Sequence, residues 1–120
     1  MVVGRMVGMS ELVVIVVFVP SDDPAVGARV RTALAEAGAG RIGAYRACSF
    51  SAPGQGRFEP DATANPFIGA PGRAETVAEE RLEAICERRL AKAAVLAMLA
   101  AHPYEEPAYH VYPVLTVDDL

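Results

Sequence analysis

The chain has 120 residues, 11 basic side chains against 15 acidic ones, a net charge of −4 and 22% charged residues, which is room for one domain. The acidic balance leaves no positive excess to displace counterions from a nucleic-acid backbone, and the apolar run Leu12 to Val19 is far short of the ~20 residues of a membrane helix. Of the 52% apolar residues 22 are Ala, so the core is thin for the length and self-association is expected to supply further burial.

Residues 1–11 read as a flexible leader without the apolar block and small-residue cleavage site of a signal peptide, so the expected location is cytoplasmic. The single domain then runs from 12 to 120. Leu12 to Val19 is dense in β-branched residues and stops at Pro20, the pattern of a strand buried on both faces. Asp23 is placed to cap a helix with Pro24 at its first position; Val26, Val30, Leu34 and Ala37 follow at helical spacing, and Gly38 and Gly40 end it.

Arg41 to Ser51 reads as a second strand, with bulk from Ile42, Tyr45 and Phe50. The segment 51–74 reads as a long loop, broken by Pro and Gly, whose Phe58, Phe67 and Ile68 are anchors that fold it back on the body. Glu75 to Cys86 is ambiguous: its composition favours helix, whereas an alternation of Glu79, Arg81 and Glu83 with apolar neighbours favours a strand that Glu80 interrupts. A helix over Arg88 to His102 ends at Pro103, and Pro107 to Leu115 reads as a closing strand with its prolines at an edge or end.

The string His102-Pro-Tyr-Glu-Glu-Pro107 gathers an imidazole, a phenol and two carboxylates, and His102, Glu105 and Glu106 are candidate ligands for a divalent metal ion, with Cys48 or His110 as further donors. Adjacent Glu105 and Glu106 in an extended segment would point to opposite faces, and the preferred reading is structural, with His102 bonding a free carbonyl. Cys48 and Cys86 lack CxxC spacing and read as reduced thiols. Cys48 is read as a small buried residue, with a catalytic Cys48–His102 pair as the alternative. Gly54-Gln-Gly56-Arg57 has the glycines and guanidinium of a phosphate-cradling loop without the rest of that motif, and a tight turn is the commoner outcome.

Taken together, Gly40-x-Ile-Gly-x-Tyr-x-x-Cys-Ser-Phe50, Gly54-x-Gly-x-Phe58-x-Pro60, Ala64-Asn-Pro-x-Ile-Gly69-x-x-Gly72-x-x-Glu75 and His102-Pro-Tyr-Glu-Glu-Pro-Ala-Tyr109 resemble the domain inserted in YqfO-type members of the Nif-three-like dinuclear-metal hexamer family. The resemblance runs from Val13 to Val114; Ala62-Thr63 stand where that family often has a glycine. It implies an α+β, ferredoxin-like βαββαβ sandwich of PII/CutA type, an antiparallel sheet with two helices on one face, usually assembled as a trimer. On that ground the strand reading is taken for Thr76 to Cys86. The paired metals of the family are held by flanking halves that these 120 residues do not cover, so its hydrolase or cyclohydrolase chemistry is not expected here.

The expected function is a non-enzymatic binding or regulatory module, a homo-oligomer, with a small-molecule or anion ligand near the loop. Tyr45, Cys48, Ser49, Arg57, Asn65 and Arg73 are the candidate ligand-binding residues. A CutA-type metal-binding protein and a cysteine-dependent enzyme are the alternatives. No cofactor is firmly implied, a divalent metal ion being the one candidate; no nucleic acid or membrane is expected, and an unidentified protein partner is left open.

Overall fold

The computed structural model describes residues 11–120, so the expected leader, except for Glu11, lies outside the described residues. The elements in chain order are β1 (Leu12–Pro20), α1 (Pro24–Glu36), β2 (Phe50–Phe58), β3 (Glu75–Glu87), α2 (Arg88–Ala101) and β4 (Tyr109–Pro113), followed by a short 3-10 turn at Val117–Asp119. The strands form one sheet in the order β2-β3-β1-β4. Every neighbouring pair is antiparallel. This is the expected ferredoxin-like βαββαβ architecture.

The core forms because β1 and β3 present one face to both helices. Val13, Ile15, Val17 and Val19 alternate along β1 and lie opposite Cys86, Ala84, Leu82 and Glu80 of β3. The apolar members of this set pack with Val26, Val30 and Leu34 of α1 and Ala91, Ala94 and Met98 of α2. α1 starts as its sequence dictates: the Asp23 carboxylate accepts from Ala25 N–H at 3.0 Å, and Pro24 occupies the first turn, where no N–H is needed.

The ambiguous segment is strand β3, paired with β1 from residue 79 to 87 and with β2 from 75 to 83, and tertiary pairing overrides its helical propensity. Glu80, which broke the alternation, faces the helices and meets Arg31 of α1 at 3.5 Å.

Two boundaries need correction. The second strand is not 41–51 but Phe50–Phe58, so the irregular loop shrinks to 59–74. Residues 41–47 are exposed and carry only an isolated bridge, Ile42 to Tyr45. The chain is pinned there by its backbone instead: Gly40 N–H donates to Ile85 O at 2.6 Å and Gly40 O accepts from Cys48 N–H at 2.9 Å. A side chain at Gly40, whose φ is 84°, would strike the Cys48 backbone. Pro53, Gly54 and Gly56, which suggested a turn, are accommodated in β2 because it is an edge strand. The closing strand β4 is also shorter than the expected 107–115. Among the described residues no helix is long and apolar enough to cross a membrane.

Candidate functional site

β3 outruns β1: Glu79 is the last β3 residue opposite β1, whereas β2 pairs with β3 as far as Glu75. The paired ends of β2 and β3 therefore project as a two-stranded arm beyond the end of β1. Segments 59–68 and 104–108 fold over this junction and leave a cleft of about 720 Å³. Its apolar lining combines the rings of Phe18, Phe58, Phe67 and Tyr104 with aliphatic residues such as Ile68 and Pro66. Tyr104 is the hub, with ring centroids 6.5 Å from Phe58, 6.3 Å from Phe67 and 4.8 Å from His102.

Polar bonds fix that hub. The Tyr104 hydroxyl donates to Glu79 Oε2 at 3.0 Å, and burial together with the Glu79 carboxylate pushes the phenol well above its ordinary range. Glu79 lies against β2 at Gly56, where a Cβ would overlap its carboxylate. His102 is 7% exposed, with Nε2 2.7 Å from Phe18 O and Nδ1 3.1 Å from the Tyr104 N–H. A backbone N–H can only donate, so Nδ1 accepts and Nε2 carries the proton that bonds Phe18 O. Burial pulls the His102 pKa below its ordinary value, in keeping with that neutral tautomer. Across the cleft mouth, Glu105 accepts from Asn65 N–H at 3.0 Å and so ties the two covering segments together. Asp61 accepts from both the amide and the hydroxyl of Thr63, bonds that hold its carboxyl below the usual range.

The candidate ligand residues separate into groups. Arg57 lines the cleft, and Asn65 sits at its mouth through its backbone bond to Glu105. Cys48 and Ser49 line a different recess of about 390 Å³ beside the end of α1. Tyr45 is 75% exposed on the 41–49 loop, and Arg73 lies outside both linings. Cys48 is half-buried instead of buried, because it sits on that pinned surface loop, whereas Cys86 is in the core; both are free thiols. His102 is bonded at Phe18, whereas Cys48 is tied through Gly40 to Ile85, the partner of Val14. Those positions are four steps apart along β1, roughly 13 Å at about 3.3 Å per residue, so nucleophile and base are not paired.

The expected metal ligands do not converge either. Among the described residues no three His, Cys, Asp or Glu side chains are grouped to hold an ion, and both ring nitrogens of His102 are already engaged. Glu105 and Glu106, expected on opposite faces, both line the cleft because the chain bends at Tyr104–Glu106 instead of running extended. Gly54-Gln-Gly56-Arg57 is neither a turn nor an anion loop but part of β2, with Arg57 bonded to Gln55 at 3.0 Å. Phe58 and Phe67, expected as anchors of the loop, both meet the Tyr104 ring. Phe18 and Glu79 belong to the site without a local signal, because the register of β1 and β3 delivers them.

No family model matches the chain. It is 51% identical over 86 residues to a Bacillus subtilis protein named "GTP cyclohydrolase 1 type 2 homolog", a match covering 72% of this chain and 23% of that one. Among solved structures, a Bacillus cereus protein related to NIF3 superposes with a TM-score of 0.73 and 43% identity, over 88% of this chain and 26% of its own. This chain is homologous to one segment of NIF3-related proteins. It spans about a quarter of their length. CutA1 from Shewanella sp. SIB1 matches with a TM-score of 0.66 over 89% of this chain and 84% of its own; at 20% identity this likeness is one of fold. The expected kinship with the NIF3-inserted domain and the expected CutA/PII-like fold therefore both stand.

Proposed function

We propose that this segment is a non-enzymatic regulatory module of PII/CutA type that binds a small ligand in the cleft at the end of its sheet and works as a cytoplasmic homo-trimer. The observation that carries the reading is the cleft itself. Three of the family-like motifs, 54–60, 64–75 and 102–109, meet there and supply aromatic side chains held by a half-buried hydrogen-bond network. Its volume falls within the range of small-molecule sites, and aromatic walls with a few placed polar groups are the usual make-up of such sites.

The cyclohydrolase name belongs to a Bacillus subtilis protein of which this chain covers 23%, and that chemistry is not proposed for these residues. The separation of Cys48 from His102 also argues against the cysteine-enzyme reading. A divalent-metal site at His102, Glu105 and Glu106 is the weaker alternative, because ligation would cost the buried bonds of His102.

A thermal-shift screen of common metabolites and divalent metals against the wild type and Phe67→Ala tests the proposal. At least one compound should raise the wild-type Tm by several degrees, with the shift at least halved in Phe67→Ala. A panel without effect, or shifts indifferent to Phe67, would overturn it.

A further inference from the structure

Resting on the reading of this cleft as a ligand site, we propose that its ligand is an organic cation, a linear aliphatic amine with two or more ammonium groups. Among the described residues, five carboxylates, from Glu59, Asp61, Glu79, Glu105 and Glu106, line the cleft against one guanidinium, that of Arg57. Arg57 bonds Gln55 and not a carboxylate. The salt bridges among the described residues, Arg31–Glu80, Arg81–Glu83 and Arg89–Glu87, involve none of the five. The imidazole packed beside Tyr104 among the described residues is that of His102, which is neutral and adds no positive charge. Low-dielectric walls beside uncompensated carboxylates focus a negative field, which repels phosphates and carboxylates and draws cations.

The remaining lining selects among cations. An inorganic ion needs several donors on one point, and no such convergence exists among the described residues. The five carboxylates instead share the lining of a cleft of about 720 Å³ with the rings of Phe18, Phe58, Phe67 and Tyr104. Alkyl-ammonium groups are attracted to aromatic faces, and methylene stems lose water against them. A chain with apolar segments between spaced ammonium groups matches a lining that holds both rings and carboxylates, whereas a compact ion matches only the charge. Phe67, 60% exposed beside Tyr104, is the ring such a chain would cover on entry.

Calorimetric titration of the whole chain with spermidine, Mg²⁺ and metal-free ATP at one ionic strength tests the assignment. Spermidine should bind at least tenfold more tightly than Mg²⁺. Phe67→Ala and the double variant Glu59→Gln/Glu106→Gln should each weaken it at least fivefold, and Glu36→Gln, at the far end of α1, should leave it unchanged. Spermidine no tighter than Mg²⁺, or weakened as much by Glu36→Gln, would reduce the effect to diffuse charge and overturn the proposal. Binding of ATP that depends on Phe67 would overturn the cation assignment and leave the cleft standing as a ligand site. No Phe67-dependent binding of any of the three would overturn the cation assignment, and the metabolite screen would then decide the wider reading.

Discussion

His102 is held at both ring nitrogens, and its pairing explains why the string from His102 to Pro107 is a structural corner before it is anything else. Removing the ring would leave the half-buried Phe18 carbonyl without its partner and open a gap beside Tyr104. His102→Ala should therefore cost about 2–3 kcal/mol in denaturant unfolding, with His102→Gln recovering part of it. Because burial lowers the His102 pKa, the unfolded chain binds the proton more readily. The stability this residue contributes is present above its ordinary 6.5 and lost as pH falls below it. The Cys86 thiol and Tyr104 phenol are pushed up, chiefly by burial, so the Cys86 share is fully present below 9.0 and the Tyr104 share below 10.0, each being lost as pH rises beyond. Unfolding free energy measured across pH should thus plateau between about 6.5 and 9, and His102→Gln should flatten the acid limb of that curve.

Among the elements, β2 and the arm it forms with β3 position the site, and they were also the hardest to read. Glycines and a proline in a 9-residue segment speak locally for a turn, and only the neighbouring β3 makes an edge strand of them. The opposite failure occurred at 41–47, where bulky Ile42 and Tyr45 speak for a strand but have no core to face. By contrast β1, α1 and α2 were legible, because apolar periodicity, the Asp23 cap and Pro103 each act within a few residues. The strand character of β3 came from family resemblance and not from its own residues. The aromatic anchors of the cleft were legible as loop-folding residues; Glu79 and Phe18 were not, since sheet register is a long-range property. Gly56 gives this level a direct test. Gly56→Ala would drive the Glu79 carboxylate off β2, so it should break the Tyr104–Glu79 bond, visible as a shift of the Tyr104 side-chain resonances, and lower stability by about 1 kcal/mol. For comparison, Asp23→Ala should cost a similar ~1 kcal/mol by removing a cap, without disturbing those resonances.

At the scale of the molecule, both helices pack on one face of the sheet, and the other face and edges carry exposed apolar residues such as Phe50 at 61% and Tyr112 at 40%. A two-stranded arm is marginal by itself, and an Ala-rich core adds little, so a second and third copy would cover what one chain cannot. Light scattering should return three times the 12.7 kDa chain mass at micromolar concentration, and Phe50→Glu should lower it. A chain-mass particle for the wild type would remove the trimer. The central claim, that the ligand sits between the loop and the His102 corner, is tested most directly by amide hydrogen exchange of the whole protein with and without the compound that most raises its Tm. Protection should concentrate in 55–68 and 103–108. Protection confined to 40–49, around Cys48 and Ser49, would contradict it.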